Sequence, residues 1–438
     1  MKTKSAFRFK PFSVKQRKVL NWWTEGSPVK DADGIICDGA IRSGKTLSMS
    51  LSFVVWAMSS FSGENFAMCG KTVGSFRRNV LFWLKIMLAW RGYVCDEHRS
   101  ENLLIVTKGD AENYFYIFGG KDERSQDLIQ GITLAGVFLD EVALMPESFV
   151  NQATGRCSVD GSKMWFNCNP ESPSHWFKTG WINKAKEKGL LYLHFTMEDN
   201  LSLSDKVKER YRRMYVGVFY ERFILGLWVM AEGMIYPMYR EAISDPPEST
   251  PAQDAAAEYV ISIDYGTQNA FAALLWRRYD KVWWAVSEYY YSGRDTGVQK
   301  TDEQYAQDMD KWLEKITPKK SLRVIIDPSA ASFITLLRQK MIRAGDAQLH
   351  RYKVIPADNA VLDGIRETAT ALQIGLVKIS KACANWRREA EGYVWDDNPA
   401  EDKPVKENDH DMDSTRYFVK TMQLVKKHSR PERYSFIS

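Results

Sequence analysis

Apolar residues run along the chain in two successive rhythms. In the first half, short unbroken apolar runs alternate with stretches of helical spacing. Residues 33–38, 65–70, 134–139 and 164–168 are such runs, bounded by Gly, Asn or Asp, and they predict strands buried on both faces. Residues 12–23, 47–56 and 75–90 carry apolar positions that fall on one helical face and predict helices. Strand and helix in alternation predict an α/β domain with a mostly parallel sheet. Residues 103–106 and 114–118 have no helix between them and predict a hairpin or adjacent strands, and 203–228 predicts a charged helix rich in Arg and Tyr.

The rhythm changes after a polar, proline-rich stretch, Asp245-Pro246-Pro247-Glu248-Ser249-Thr250-Pro251-Ala252-Gln253. This predicts a first domain over 1–244, a linker over 245–257 and a second domain over 258–438. In the second, 259–264 reads as a strand, and 270–276 and 282–291 as its antiparallel partners. A helix at 302–316 precedes a strand at 322–327. Helices follow at 331–344 and 362–374, with a short strand near 352–355 between them, and a last helix runs from about 409 to 425. Three strands, a helix and a fourth strand beside the first is the order of an RNase H-like fold with a mixed sheet.

Composition narrows this only a little. The 438 residues are 45% hydrophobic and 26% charged, which is globular and large enough for two cores. The net charge of +5 permits nucleic-acid contact without arguing for it, since both signs are interspersed. Fifteen tryptophans imply mostly core positions, and six scattered cysteines without a CxxC pair imply free thiols in a reducing compartment. The basic start, residues 1–10, lacks the apolar run of a signal peptide, and no stretch suits a membrane span.

The chemistry begins at Gly39-Ala40-Ile41-Arg42-Ser43-Gly44-Lys45-Thr46, of the form G-x-x-x-x-G-K-[ST]. It lies between a predicted strand and a predicted helix, the context in which backbone N–H groups cradle phosphates at a helix N-terminus. Lys45 is expected to reach the β- and γ-phosphates of ATP and Thr46 to hold Mg²⁺. The strand at 134–139 runs into Asp140-Glu141. Asp140 is expected to hold Mg²⁺ through water and Glu141 to polarise the attacking water. Asn169, in the polar pair that closes the strand at 164–168, is placed to sense the γ-phosphate. Gln16 is either a reader of the adenine edge or an ordinary exposed glutamine, and the residues leave both open.

A second set of polar residues closes the elements of the second domain. Asp264 and Asp327 end its first and fourth strands. Asp409, His410 and Asp413 open the last helix at spacings of three and four. Converging carboxylates bind two Mg²⁺ or Mn²⁺ ions for phosphodiester hydrolysis, so Asp264, Asp327, Asp413 and Asp409 are candidate metal ligands and His410 an orienting or proton-transfer group. Asp411 is expected to point elsewhere.

Together these residues resemble the large terminase subunit of tailed bacteriophages, over nearly the whole chain. Residues 39–46 match that family's phosphate loop, including its arginine, here Arg42. Residues 137–141 match its metal-binding strand, and Asn167-Cys168-Asn169-Pro170 is similar to its coupling motif. Residues 223–237 are similar to the segment that leaves the ATPase domain. Ile263-Asp264-Tyr265-Gly266, Ile326-Asp327-Pro328 and residues 408–417 resemble its nuclease motifs in order. Where an arginine after the second strand would be sought, Gly70-Lys71 stands, so Arg42 is the candidate for stabilising γ-phosphate charge. The resemblance implies an ATP-driven motor that moves double-stranded DNA into a capsid, with a nuclease that cuts concatemers. It also implies portal and small-subunit partners, ring assembly on the procapsid, and the cytoplasm of an infected bacterium as the place of action. The basic tail at 426–433 is a candidate portal contact. A helicase or repair ATPase fused to a nuclease, and an adaptor that binds ATP without turnover, are the alternative classes. The first would need accessory helicase motifs, and the second conflicts with intact Lys45, Asp140 and Glu141.

Overall fold

The computed structural model describes residues 11–429, apart from 267–269, 315, 318–319, 345–346 and 398–401. The start at 1–10 and the tail beyond 429 therefore lie outside the described residues. Contacts gather into two units, the first chiefly the chain up to Arg212 with Val218–Met230, the second chiefly Ala231–Asn398 and the chain from Asp402.

The first unit is built on eight strands: β1 (Gly34–Gly39), β2 (Asn65–Gly70), β3 (Val94–His98), β4 (Leu103–Lys108), β5 (Ala111–Gly119), β6 (Gly136–Asp140), β7 (Lys163–Asn167) and β8 (Leu190–Phe195). Their order is β3-β4-β5-β2-β6-β7-β1-β8. Only β3–β4 and β4–β5 are antiparallel. β1 and β6 are buried along their whole length, as the apolar runs require of parallel strands covered on both faces. Alternate residues serve opposite layers. Ile35, Cys37, Phe138 and Trp165 join the core on one face, and Ile36, Leu139 and Phe166 the core on the other. Helix α1 (Val14–Asn21) and helix α2 (Lys45–Ser60) cover the first face. There Phe53 of α2 meets Trp165 at 5.2 Å, Phe66 at 5.9 Å and Phe115 at 6.0 Å between ring centroids.

Two strands of this sheet lie outside the set predicted from the sequence, and both are edges. β3 carries Asp96, Glu97 and His98, and β8 is half exposed. An edge strand has one neighbour and less to bury, so β3 carries a weak signal, whereas β8 is apolar at five of its six positions. Glu97 on β3 pairs with Arg77 at 3.2 Å. The helix expected over 203–228 is broken into Asp205–Met214, Gly217–Tyr220 and a π-turn at Glu221–Leu225. Gly217 and Gly226, both at positive φ, interrupt it.

The second unit holds a mixed sheet of seven strands in the order β16-β13-β10-β11-β12-β17-β9. These are β9 (Ile243–Ser244), β10 (Tyr259–Asp264), β11 (Ala270–Tyr279), β12 (Val282–Ser292), β13 (Leu322–Ile326), β16 (Tyr352–Pro356) and β17 (Val377–Ser380). β14 (Met341–Ala344) and β15 (Ala347–His350) form a separate hairpin. The expected adjacency holds: β10 pairs parallel with β13. The helix expected over 331–344 stops at Gln339, and the hairpin takes its end. The four-residue β17, with Lys378 inside it, and the helix Ala384–Gly392 have no counterpart in the sequence reading. Within the polar stretch 245–257, Pro251–Ala256 is helical, because Thr250 and Gln253 form a capping box with proline at the first turn.

The helix His410–Thr421 crosses the middle of this sheet. Ser414 Oγ donates to Ser262 O at 3.0 Å, and Phe418 stacks on Trp276 at 4.2 Å between centroids. The six cysteines are free thiols. Among the described residues no helix is long and apolar enough to cross a membrane. Removing the Phe53 ring leaves a hole in the aromatic layer of the first core. Phe53→Ala should cost about 3–5 kcal/mol, read from the shift of the denaturant midpoint of the first unit's transition.

Candidate active sites

In the first unit, three parallel strands end side by side and deliver the polar residues to one place. β1 runs into the glycine loop. β6 and β7 pair so that Asp140 lies opposite Asn167. Gly39 turns the chain with φ 119°, where a Cβ would lie 2.0 Å from Phe195 O, so no other residue fits. The loop closes around Lys45. Its ammonium donates to Gly39 O at 2.9 Å, Ala40 O at 2.8 Å, Ser43 Oγ at 3.3 Å and Asn169 Oδ1 at 3.1 Å. Burial pulls the Lys45 pKa down to about 8, against nearby negative charge that includes Asp38 and Asp140.

Thr46 Oγ1 donates to Asp140 Oδ1 at 3.0 Å, and Asn167 Nδ2 donates to Thr46 Oγ1 at 2.8 Å and to Asp140. Asp140 is 7% exposed, and burial, aided by the Glu141 charge, lifts its pKa to about 7. Glu141 sits in the left-handed region at φ 59°, unusual for a residue with a side chain. Arg42, also at positive φ, is exposed, and its guanidinium lies 5.5 Å from the Tyr211 ring centroid. Asn200 Nδ2 holds the Arg42 carbonyl at 2.6 Å.

Gln16 is not the exposed glutamine that one reading expects: it is 4% exposed. Its Oε1 accepts the Ser13 N–H at 2.9 Å, capping α1, and its Nε2 is 2.2 Å from where a Gly44 Cβ would stand. Asn167 is the partner that the sequence reading passes over. Of the polar pair that closes β7 it singles out Asn169 alone, because pairing with Asp140 depends on strand register. Asp38 is missed as well. It looks like the last residue of an apolar run, yet it is fully buried with His194 Nδ1 at 2.9 Å and Trp228 Nε1 at 2.6 Å.

In the second unit, Ile263 pairs with Ile326, so the next residues, Asp264 and Asp327, leave the sheet as neighbours. Asp409 caps the helix that carries His410 and Asp413. His410 Nδ1 lies 2.8 Å from Asp264 Oδ2. Lys406 Nζ bridges Asp409 Oδ2 at 2.9 Å and Asp413 Oδ2 at 3.1 Å. Buried Arg416 donates from Nε to Asp413 Oδ1 at 3.1 Å and from Nη1 to Asn359 O at 2.8 Å. Asn359 Nδ2 in turn donates to Asp327 Oδ2 at 2.9 Å. A cavity of about 370 Å³ opens over Asp264, Asp409, His410 and Asp413, with Tyr290 and Arg294 in its wall. Burial raises the Asp264 pKa, and the Asp413 charge adds to it. Burial alone would lower His410, but the hydrogen bond to Asp264 and the charges of Asp264, Glu389 and Asp409 together raise it.

Each carboxylate is thus engaged by a protein group, and among the described residues no three His, Cys, Asp or Glu side chains stand grouped as a metal cluster. The donor set nevertheless fits a hard divalent ion. All of it is oxygen, and the Lys406 ammonium already makes Asp409 and Asp413 share one cation. Asp411 takes no part in this cavity. It is fully buried, and its N–H donates to Glu389 Oε2 at 2.6 Å. Burial and the Glu389 charge push its carboxyl well above the usual range.

A phosphate loop answered by an Asp-Glu strand end, followed by an RNase H-like sheet with carboxylates at the ends of neighbouring strands, defines an ATPase joined to a nuclease. Comparison with known proteins agrees. The family model for the terminase large subunit, T4likevirus-type, N-terminal, matches residues 36–243, and that for the terminase RNaseH-like domain matches 243–421. The chain belongs to the large terminase family. A large terminase from a thermophilic bacteriophage, solved as a crystal structure, is 56% identical over 94% of this chain and 100% of that chain, with a TM-score of 0.86. The same phage protein in complex with ADP is 55% identical over 94% and 100% of the two chains at TM-score 0.83. With ATP-gamma-S it is 55% identical over 93% and 98% at 0.82. No curated protein matches the chain.

The raised pKa of Asp140 has a consequence for stability. A carboxyl whose folded pKa lies above its ordinary value destabilises the fold as pH rises, fully so above about 7. Asp140→Asn keeps the shape and removes the charge. In nucleotide-free, metal-free protein it should raise Tm at pH 8 by several degrees, roughly 2–4 °C per kcal/mol. The gain should shrink toward pH 4, and a scanning calorimeter at both pH values checks it.

Proposed function

We propose that the chain hydrolyses ATP to translocate double-stranded DNA into a capsid and cuts the DNA with a metal-dependent nuclease. The observation that carries this reading is the presence, in one chain of the large terminase family, of a closed phosphate loop and a separate carboxylate cavity. The division into a motor domain over 1–244, a linker over 245–257 and a nuclease domain over 258–438 belongs to the same proposal.

In the motor, the loop amides and Lys45 bind and neutralise the phosphates. Lys45 exchanges its bonds to Gly39, Ala40 and Asn169 for phosphate oxygens. Asn169, released from Lys45, then senses the γ-phosphate. Arg42 leaves the Tyr211 face to neutralise charge that builds on the γ-phosphate. Glu141 orients the attacking water and accepts its proton. Thr46 and Asp140 would hold Mg²⁺, which supplies charge neutralisation on the triphosphate when bound. Gln16, with its carbonyl engaged at its own helix cap, holds the Gly44 turn and through it the approach to the adenine side.

In the nuclease, Asp264, Asp327, Asp409 and Asp413 would hold Mg²⁺ or Mn²⁺, ions that activate water and stabilise the leaving oxygen when bound. Lys406 would yield its place between Asp409 and Asp413. Arg416 keeps Asp413 oriented, and Asn359 does the same for Asp327. His410 orients Asp264 and moves a proton at Nδ1. The portal protein and the small terminase subunit are the proposed partners, with self-assembly into a ring on the procapsid. The basic tail at 426–433 is the proposed portal contact, and the infected bacterial cytoplasm the place of action.

Point variants test the two activities separately. Lys45→Ala should lose ATPase and packaging and keep DNA cleavage. Asp264→Asn should keep ATPase and lose cleavage by at least about a hundredfold, since hard cations bind weakly without that charge. Cleavage should need Mg²⁺ or Mn²⁺. Full cutting in EDTA, or ATP turnover by Lys45→Ala, would overturn the corresponding half.

A further inference from the structure

The segment that ends the first unit lies directly on the phosphate loop, at three places within a few residues. Ile41 N–H donates to Phe223 O at 2.8 Å. Trp228 Nε1 donates to Asp38 Oδ2 at 2.6 Å. Gly226, at φ 77°, comes so close that a Cβ there would stand 2.9 Å from Ala40 N and 3.1 Å from His194 Cε1. Asp38 is the residue before the loop. It is completely buried and is held on its other oxygen by His194 Nδ1 at 2.9 Å.

The segment is itself braced. Leu227 N–H donates to Glu221 O at 3.0 Å, and buried Arg222 donates from Nε to Val229 O at 3.0 Å. Arg222 also pairs at 3.4 Å with Glu171, two residues beyond Asn169, the partner of Lys45. One short strap therefore touches the loop and the stretch placed to sense the γ-phosphate. This stretch of the first unit ends at Met230, one residue after Val229.

A buried carboxylate needs donors, and a purely structural one can find them among its neighbours in the sheet. Asp38 has His194 for that purpose. Its second oxygen takes its donor from the strap, and the neighbouring loop residues Ala40 and Ile41 contact the same strap.

We propose that Asp38 and Trp228 form a latch that fixes the strap 221–229 to the phosphate loop, and that Trp228 is a positioning residue for ATP hydrolysis, acting through Asp38. Movement of the loop when phosphates bind or leave is carried to the strap by this hydrogen bond and by the Ile41–Phe223 bond. In the other direction, a pull on the strap displaces the loop. The inference rests on the ATPase reading, so the experiment keeps the two apart.

Trp228→Phe keeps a ring and removes the N–H. Its kcat for ATP should fall about five- to fifty-fold, because the loop is no longer held in register with Asp140 and Glu141. KM for ATP should stay within about twofold, because the phosphate-binding groups are unchanged. Asp38→Asn should act alike, and the double variant should be no slower than the worse single one. In nucleotide-free protein, amide hydrogen exchange at Ile41 and Leu227 should quicken in Trp228→Phe while amides of β4 stay as they were. Additive losses of kcat in the double variant, or unchanged exchange at Ile41 and Leu227, would overturn the latch. So would a rise in KM at unchanged kcat. If Asp38→Asn does not fold, Trp228→Phe and the exchange measurement decide alone. Wild-type protein that fails to hydrolyse ATP would instead remove the ATPase reading, and the exchange result would still stand or fall by itself.

Discussion

Lys45 is a charged group buried in an α/β core, and much of the first unit is arranged to make that tolerable. A buried ammonium without partners costs several kcal/mol, so it must be hydrogen-bonded and faced by negative charge. The loop carbonyls, Ser43 and Asn169 supply the bonds, while Asp38 and Asp140 supply charge. Those groups arrive from different strands. They meet because β1, β6 and β7 are parallel neighbours whose C-terminal ends lie at one edge of the sheet. The aromatic layer under α2 keeps that edge in register, since the same helix that begins with Lys45 carries Phe53 and Trp56 into the core.

The second unit meets the opposite problem. Carboxylates from β10, the end of β13 and the last long helix are brought close, and burial together with the Asp413 and Asp409 charges raises the cost of ionising Asp264. Cationic and neutral donors within the chain offset this: His410 on Asp264, Lys406 between Asp409 and Asp413, Arg416 on Asp413, Asn359 on Asp327. Packing, through Ser414 on Ser262 and Phe418 on Trp276, holds the helix where the charges must meet. A site built of this excess negative charge is suited to exchange its internal cations for divalent ones.

Both sites therefore store their chemistry in the same way. Side chains proposed to bind phosphate or metal are held by protein groups that resemble the proposed ligand in charge or hydrogen bonding. On that proposal, Asn169 and the loop carbonyls occupy the Lys45 ammonium in place of phosphate oxygens, and Lys406 pairs with Asp409 and Asp413 in place of a metal cation. This limits the reorganisation required on binding, and it links each site to whatever carries the substitute group. For the loop, that linkage extends to the strap through Asp38 and Trp228.

Fold class, the adjacency of β10 and β13, the phosphate loop, the Asp-Glu strand end and the carboxylates at the strand ends are all legible in the amino-acid order. These are local signals. A strand buried on both faces must be apolar throughout, and a chain that turns against phosphate needs glycine at positive φ, as at Gly39. What the order of residues does not carry depends on distant pairing. Edge strand β3 buries little and so leaves no apolar trace, while the apolar run of β8 does not itself show that it closes the sheet beside β1. Asn167 matters because register sets it opposite Asp140, and Gln16 is buried because α1 packs beside the loop. Trp228 finds Asp38 across 190 residues of chain. Nothing in the order of residues sets Lys406 on Asp409 and Asp413, or Arg416 on Asp413, until the fold turns them onto the acids. Such partners are fixed by the folded chain, because burial, which makes an unpaired charge costly, is a property of the assembled fold and not of any stretch of sequence.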